Sequence, residues 1–113
     1  MTFFLMYSIS VAISSIVFWV MTRYSQTIPG FINSIIGGVL ITTFEIMAGM
    51  IALNHPILFV GYITRLIFHA FTLRVFGGLK GLLLVVATVG IIILGFMINL
   101  GLKLLFGQQL YFY

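Results

Sequence analysis

A chain of 113 residues that is 63% hydrophobic and only 5% charged cannot hide its apolar surface as a soluble domain, because too little of so small a domain is interior. Five scattered basic residues against one acid offer no Lys/Arg run for nucleic acid, and with no cysteine neither a disulfide framework nor a thiolate metal site is possible. What remains is an all-α integral membrane protein, read as a single domain over residues 1–113 whose first partner is the lipid bilayer.

The first apolar segment runs from about Phe3 to Met21, enough to cross a hydrocarbon core of about 30 Å at about 1.5 Å per residue. Its first base, Arg23, comes after the apolar stretch and no small-residue cleavage site follows, so the segment reads as a retained transmembrane helix and not a signal peptide. Ser8, Ala12 and Ser15 share a face, a small-residue stripe on which another helix can pack. The plainer reading of such serines is a bond back to their own backbone. Tyr7 and Trp19 stand near the two ends, where aromatic rings sit at headgroup level.

The stretch from Thr22 to Gly30 is polar, and Pro29-Gly30 signals a turn. The second segment, about Phe31 to Leu53, holds Gly37-Gly38, which allow close helix approach in a membrane. Glu45, the only acid, falls nearer its middle than its ends. Its side chain is too short to reach water from there, so it is either paired or carries a proton.

Asn54-His55-Pro56 is a tight turn, with Pro56 suited to the first turn of the next helix. It makes the second segment and the third, about Ile57 to Phe76, an antiparallel central hairpin. Residues whose numbers sum to about 110 then face each other, since the steps 38, 42, 45, 49 and 61, 65, 69, 72 each keep to one helical face. Gly49 is set against Gly61, Glu45 against Arg65, Thr42 against His69 and Gly38 against Thr72, a small and polar helix-packing seam on two apolar helices. Gly77-Gly78-Leu79-Lys80-Gly81 connects to a fourth segment, about Leu82 to Phe106, with Thr88, Gly95 and Asn99 on one face and Lys103 near its end.

Four helices in up-down order result. Arg23, Arg74 and Lys80 lie at the first and third connections, and only Lys103 lies on the opposite side. The positive-inside rule then puts those connections inside and both termini outside.

Glu45, Arg65 and His69 form the one group with chemical content. An intramembrane acid, a base and a titratable imidazole on facing helices are the parts of a proton relay. The structural reading sets the same residues as a buried ion pair that fixes the hairpin register, with His69 hydrogen-bonded to Thr42. A relay needs a wet path, so it predicts that Ser14, Ser15, Thr88 and Asn99 converge on Glu45, whereas a dry seam favours the structural pair. Haem ligation is a further reading, but His55 and His69 stand about 20 Å apart along one helix and cannot clamp one iron within a protomer. No phosphate loop, nucleophile elbow or zinc motif is present, so no enzyme, cofactor or metal is expected.

Two runs carry a family resemblance: Ile35 to Ile46, reading IIGGVLITTFEI, and Leu66 to Gly81, reading LIFHAFTLRVFGGLKG. Together they resemble the coat-protein-I-associated small Golgi membrane proteins, four-helix proteins with an acid in helix two and a glycine-arginine-glycine stretch closing helix three. The resemblance covers under half the chain, places Glu45 and Arg74 at family positions and implies a role in membrane trafficking. Leu73-Arg74-Val75 departs from it in lacking the flanking glycines. Tyr62 to Leu66 and His69-Ala70 also resemble sodium/proton antiporter accessory subunits, at a different spacing. The residues themselves point first to a non-enzymatic small subunit of a larger membrane assembly, with an ion- or proton-translocating element as the alternative.

Overall fold

A computed structural model describes residues 2–23, 30–54 and 59–108. They form four helices: α1 (Thr2–Thr22), α2 (Gly30–Asn54), α3 (Val60–Val75) and α4 (Gly81–Phe106). Three of them, α1, α2 and α4, are long and apolar enough to cross a membrane. The expected turn residues His55 and Pro56 lie outside the described residues.

The third helix is the shortest of the four described. It was expected over about 57–76; its described span is Val60–Val75, 16 residues, and Ile57 and Leu58 lie outside the described residues. At about 1.5 Å per residue it is about 24 Å long, short of a hydrocarbon core of about 30 Å. No side chain caps its start. At its other end the amides of Phe76 and Gly77 still bond to Thr72 and Leu73, at 2.9 and 3.1 Å. The chain then leaves the helix at Gly78, whose φ of 69° is left-handed and open to glycine. Gly107 closes α4 in the same conformation, its amide bonding Lys103 O at 2.8 Å.

The inward face of α1 is a stripe in steps of four: Met6, Ser10, Ser14, Phe18 and Thr22. That of α4 runs through Ala87, Thr88, Ile91, Gly95, Ile98, Asn99 and Leu102. Thr88, Gly95 and Asn99 are therefore interior, and this expected stripe of the fourth helix is not open to a partner. Two apolar clusters fill the interior. One joins Phe18, Ile41, Leu73, Leu79, Ala87 and Ile91; the other joins Met6, Ile98 and Leu102, with Ile46 packed against it. Glu45 stands on α2 between Ile41 of the first cluster and Ile46 at the edge of the second, so the polar residues lie between two apolar layers.

The second helix is the middle element, packed by α1 on one side and α3 on the other. Against α1, the Tyr7 hydroxyl meets Thr43 Oγ1 at 3.0 Å and the Ser10 hydroxyl meets Thr42 Oγ1 at 3.2 Å. A Cβ at Gly37 would lie 2.8 Å from the Phe18 ring, and one at Gly38 would collide with the Ser15 hydroxyl and sit 2.8 Å from the Val11 carbonyl oxygen. Gly38 thus serves the approach of α1, where the sequence set it against Thr72. The cause is that one stripe on a middle helix is shared by two neighbours, and its early turns go to α1. Thr72 donates instead to Phe68 O on its own helix, at 2.9 Å.

Against α3, Asn33 Nδ2 donates to the Phe76 carbonyl. A Cβ at Gly61 would lie 2.8 Å from Ala52 Cβ and 3.0 Å from Arg65 Nη1. Gly61 therefore lets α3 lie close to α2 and leaves room for the guanidinium. Gly49 is buried on the same helix as Ala52.

Candidate functional site

The centre of the molecule is a three-residue cluster. Glu45 Oε2 accepts the Arg65 Nε–H at 2.9 Å, and Oε1 accepts from His69 Nε2 at 2.8 Å. Arg65 and His69 are one turn apart on α3, so both side chains project over the same patch of α2 and clamp the carboxylate from two sides. Relative exposures of 0% for Glu45, 1% for Arg65 and 0% for His69 make this a sealed site. The guanidinium also has an aromatic neighbour: Arg65 Cζ lies 5.8 Å from the centre of the Tyr62 ring, within cation–π range.

The Glu45 and Arg65 charges cancel, which lowers the cost of holding them away from water. A carboxylate can only accept, so Nε2 carries the hydrogen that faces Glu45 Oε1. Nδ1 is buried without a hydrogen-bond partner among the described residues.

This differs from the expected bond between His69 and Thr42. Thr42 is instead paired with Ser10 across to α1. The physical reason is the strength of the acceptor: a carboxylate draws an N–H more strongly than a hydroxyl does. Ser10 was not singled out in the sequence, although the spacing of Ser10, Ser14 and Thr22 in multiples of four carried the signal. Asn33, which ties the first turn of α2 to the end of α3, was also missed; a fully buried amide in an apolar helix is the sign of such a tie.

Ser14, Ser15, Thr88 and Asn99 are the residues that a wet path would bring to Glu45. Ser14 Oγ and Ser15 Oγ are buried with no hydrogen-bond partner among the described residues. Thr88 donates to Leu84 O on its own helix at 2.7 Å. Asn99 is buried on the inward face of α4. Ser8 is exposed and donates to Phe4 O at 2.9 Å, the plain reading of a serine in an apolar helix.

Two adjoining recesses mark the outer surface between α1 and α2, of about 510 and 470 Å³. They share Ser15 and Ile35, and neither is lined by a member of the Glu45 cluster. Among the described residues, no group of three His, Asp or Glu side chains is placed to hold a metal ion. His55, the other histidine, lies outside them.

The exposed charges are basic. Arg23, Arg74, Lys80 and Lys103 all lie at the surface. A Cβ at Gly77 would meet Thr22 Cγ2 at 2.7 Å, so the end of α1 abuts the connection from α3 to α4. Arg23 follows Thr22, and Arg74 and Lys80 each stand three residues from Gly77, which brings three cations to one end of the bundle. No family model matches this chain, and neither does any curated protein or solved structure.

Proposed function

We propose that the chain is a non-enzymatic, multi-pass membrane protein that serves as a structural or accessory subunit of a larger membrane assembly. The observation that carries this reading is the Glu45 cluster. The only acid in the protein has both oxygens engaged by its own chain, at nearly zero exposure, so it acts as an internal fastener and presents no reactive group. Outside it the exposed surface is dominated by large apolar side chains, suited to lipid and to neighbouring helices. On α1, Ser8 and Ala12 keep a small-residue surface open to a partner, which the interior position of Thr88, Gly95 and Asn99 denies to α4.

The order of the contacts supports an antiparallel up-down arrangement. Along α1 the residues 7, 10, 15 and 18 meet 43, 42, 38 and 37 of α2 in descending order. Along α2 the residues 33, 45 and 52 meet 76, 65 and 61 of α3 in the same sense. In a bilayer, the end with Arg23, Arg74 and Lys80 lies inside and both termini lie outside. Extraction in a mild detergent followed by native-gel mass tests the subunit reading. A large band with reproducible companions is expected; migration as a monomer or a small homo-oligomer overturns it.

One observation favours a second reading, proton handling. His69 is held by one ring nitrogen, and among the described residues the other has no hydrogen-bond partner, the position a proton relay through this cluster would use. Proton flux into liposomes measured with wild type and Glu45→Gln separates the two. If Glu45→Gln assembles normally and abolishes flux, the structural reading fails.

A further inference from the structure

Between the two apolar clusters lies a layer that the clamp on Glu45 does not fully use, and each helix reaches it with small or polar residues. On α1 these are Ser10 and Ser14, one turn apart between Met6 of one cluster and Phe18 of the other. On α2 they are Thr42 and Glu45, between Ile41 and Ile46. On α3 His69 stands one turn before Leu73, which packs in the cluster of Phe18. On α4 Gly95 is buried between Ile91 of the first cluster and Ile98 of the second.

Two polar atoms of this layer have no hydrogen-bond partner among the described residues, Ser14 Oγ and His69 Nδ1. Ser14 is 1% exposed and His69 0%, so bulk water does not serve them. Asn33 Oδ1 and Ser15 Oγ are also unpartnered but lie elsewhere: Asn33 is tied to Phe76 where α3 ends, and Ser15 lies against Gly38. Polar groups sealed away from solvent are nearly always hydrogen-bonded, to protein or to ordered water. We infer that one internal water molecule bridges His69 Nδ1 and Ser14 Oγ, and so ties α1 to the α3 side of the Glu45 clamp.

Water suits the place chemically. It donates to a bare ring nitrogen and accepts from a protonated one, and the serine hydroxyl does both in turn. Two protein partners fall within the range of about two to four that buried waters have. Gly95 supplies the room, since it brings no side chain to a layer that Ile91 and Ile98 flank. The site stands on the packing of the four helices, and on neither the subunit reading nor the proton reading.

The test reads the water directly. The full chain, carrying His55→Gln so that a single histidine remains, is purified in a mild detergent. Transfer of magnetisation from water to the ring Hε1 of His69, the hydrogen next to Nδ1, is then measured by nuclear Overhauser spectroscopy. This parent is expected to show the transfer. Ser14→Ala removes one of the two partners and should abolish it. Ser15→Ala, which deletes the adjacent hydroxyl facing α2, should leave it unchanged. Gly95→Val fills the layer from α4 and should abolish it too; Gly95→Ala replaces that variant if it does not fold. No transfer in the parent, transfer that survives Ser14→Ala or the filling of position 95, or transfer lost as fully with Ser15→Ala as with Ser14→Ala each overturns the site.

Discussion

The two faces of α2 are held by different physics. On the α3 side a carboxylate, a guanidinium and an imidazole meet at 2.8 to 2.9 Å, directional and charge-assisted. On the α1 side Gly37 and Gly38 admit the backbone and side chains of the neighbour, with two hydroxyl pairs at 3.0 and 3.2 Å and the hydroxyls of Ser14 and Ser15 left over. The first seam has one register, because a slip of a single residue would carry Glu45 off both partners. The second is set by shape, since hydroxyls in a membrane readily fall back on their own helix. The α3 side should therefore fail abruptly when one atom is changed, and the α1 side gradually.

The largest effect is expected at Glu45. Glu45→Gln leaves Arg65 buried without its counter-charge, and the loss should be about 3–5 kcal/mol, read as the shift in denaturant unfolding in detergent. Combining Glu45→Arg with Arg65→Glu should recover part of it. A single Glu45→Gln that unfolds like wild type would remove the contrast between the two faces. Next is Gly38→Val, which drives a branched side chain into Ser15 and the Val11 carbonyl, for about 1–3 kcal/mol. The same measurement checks it, and a loss equal to that of Glu45→Gln would show that shape holds as firmly as charge.

His69→Phe should fall lower in the series. It forfeits one bond to the carboxylate, worth about 1.5–3 kcal/mol for a charged acceptor, but also removes the unpartnered Nδ1, so the net loss is expected in the lower part of that range. A loss above that of Glu45→Gln would make the imidazole and not the guanidinium the main partner. The smallest effect belongs to the α1 side. Thr42→Val should lose about 0.6 kcal/mol, the mean for hydroxyl and amide bonds between membrane helices.

Much of the first seam was legible in the sequence, for a simple reason. One acid in the whole chain and a short turn nine residues beyond it leave few places for a partner, and Arg65 stands at the mirrored position. What was not legible followed from competition. Thr42 and Glu45 both offered His69 an acceptor, and spacing alone does not rank a carboxylate above a hydroxyl. Gly38 belonged to the right stripe but served the other neighbour, because a stripe of about 60° on a middle helix does not say which helix it faces. Thr88, Gly95 and Asn99 formed a face in the sequence whose direction, inward, depended on where α4 docked.

On the proposed multi-pass reading, the brevity of the described α3 has a consequence for the surrounding bilayer. A helix about 6 Å shorter than the hydrocarbon it would cross is in negative hydrophobic mismatch, and lipids relieve this by thinning locally, at fractions of a kcal/mol per Å. Arg65 and His69 fasten this helix to the longer α2, so it cannot slide to share the deficit between leaflets. The protein would then dimple the membrane along the α3 side and partition toward thinner membranes, a preference built from helix length and one salt bridge.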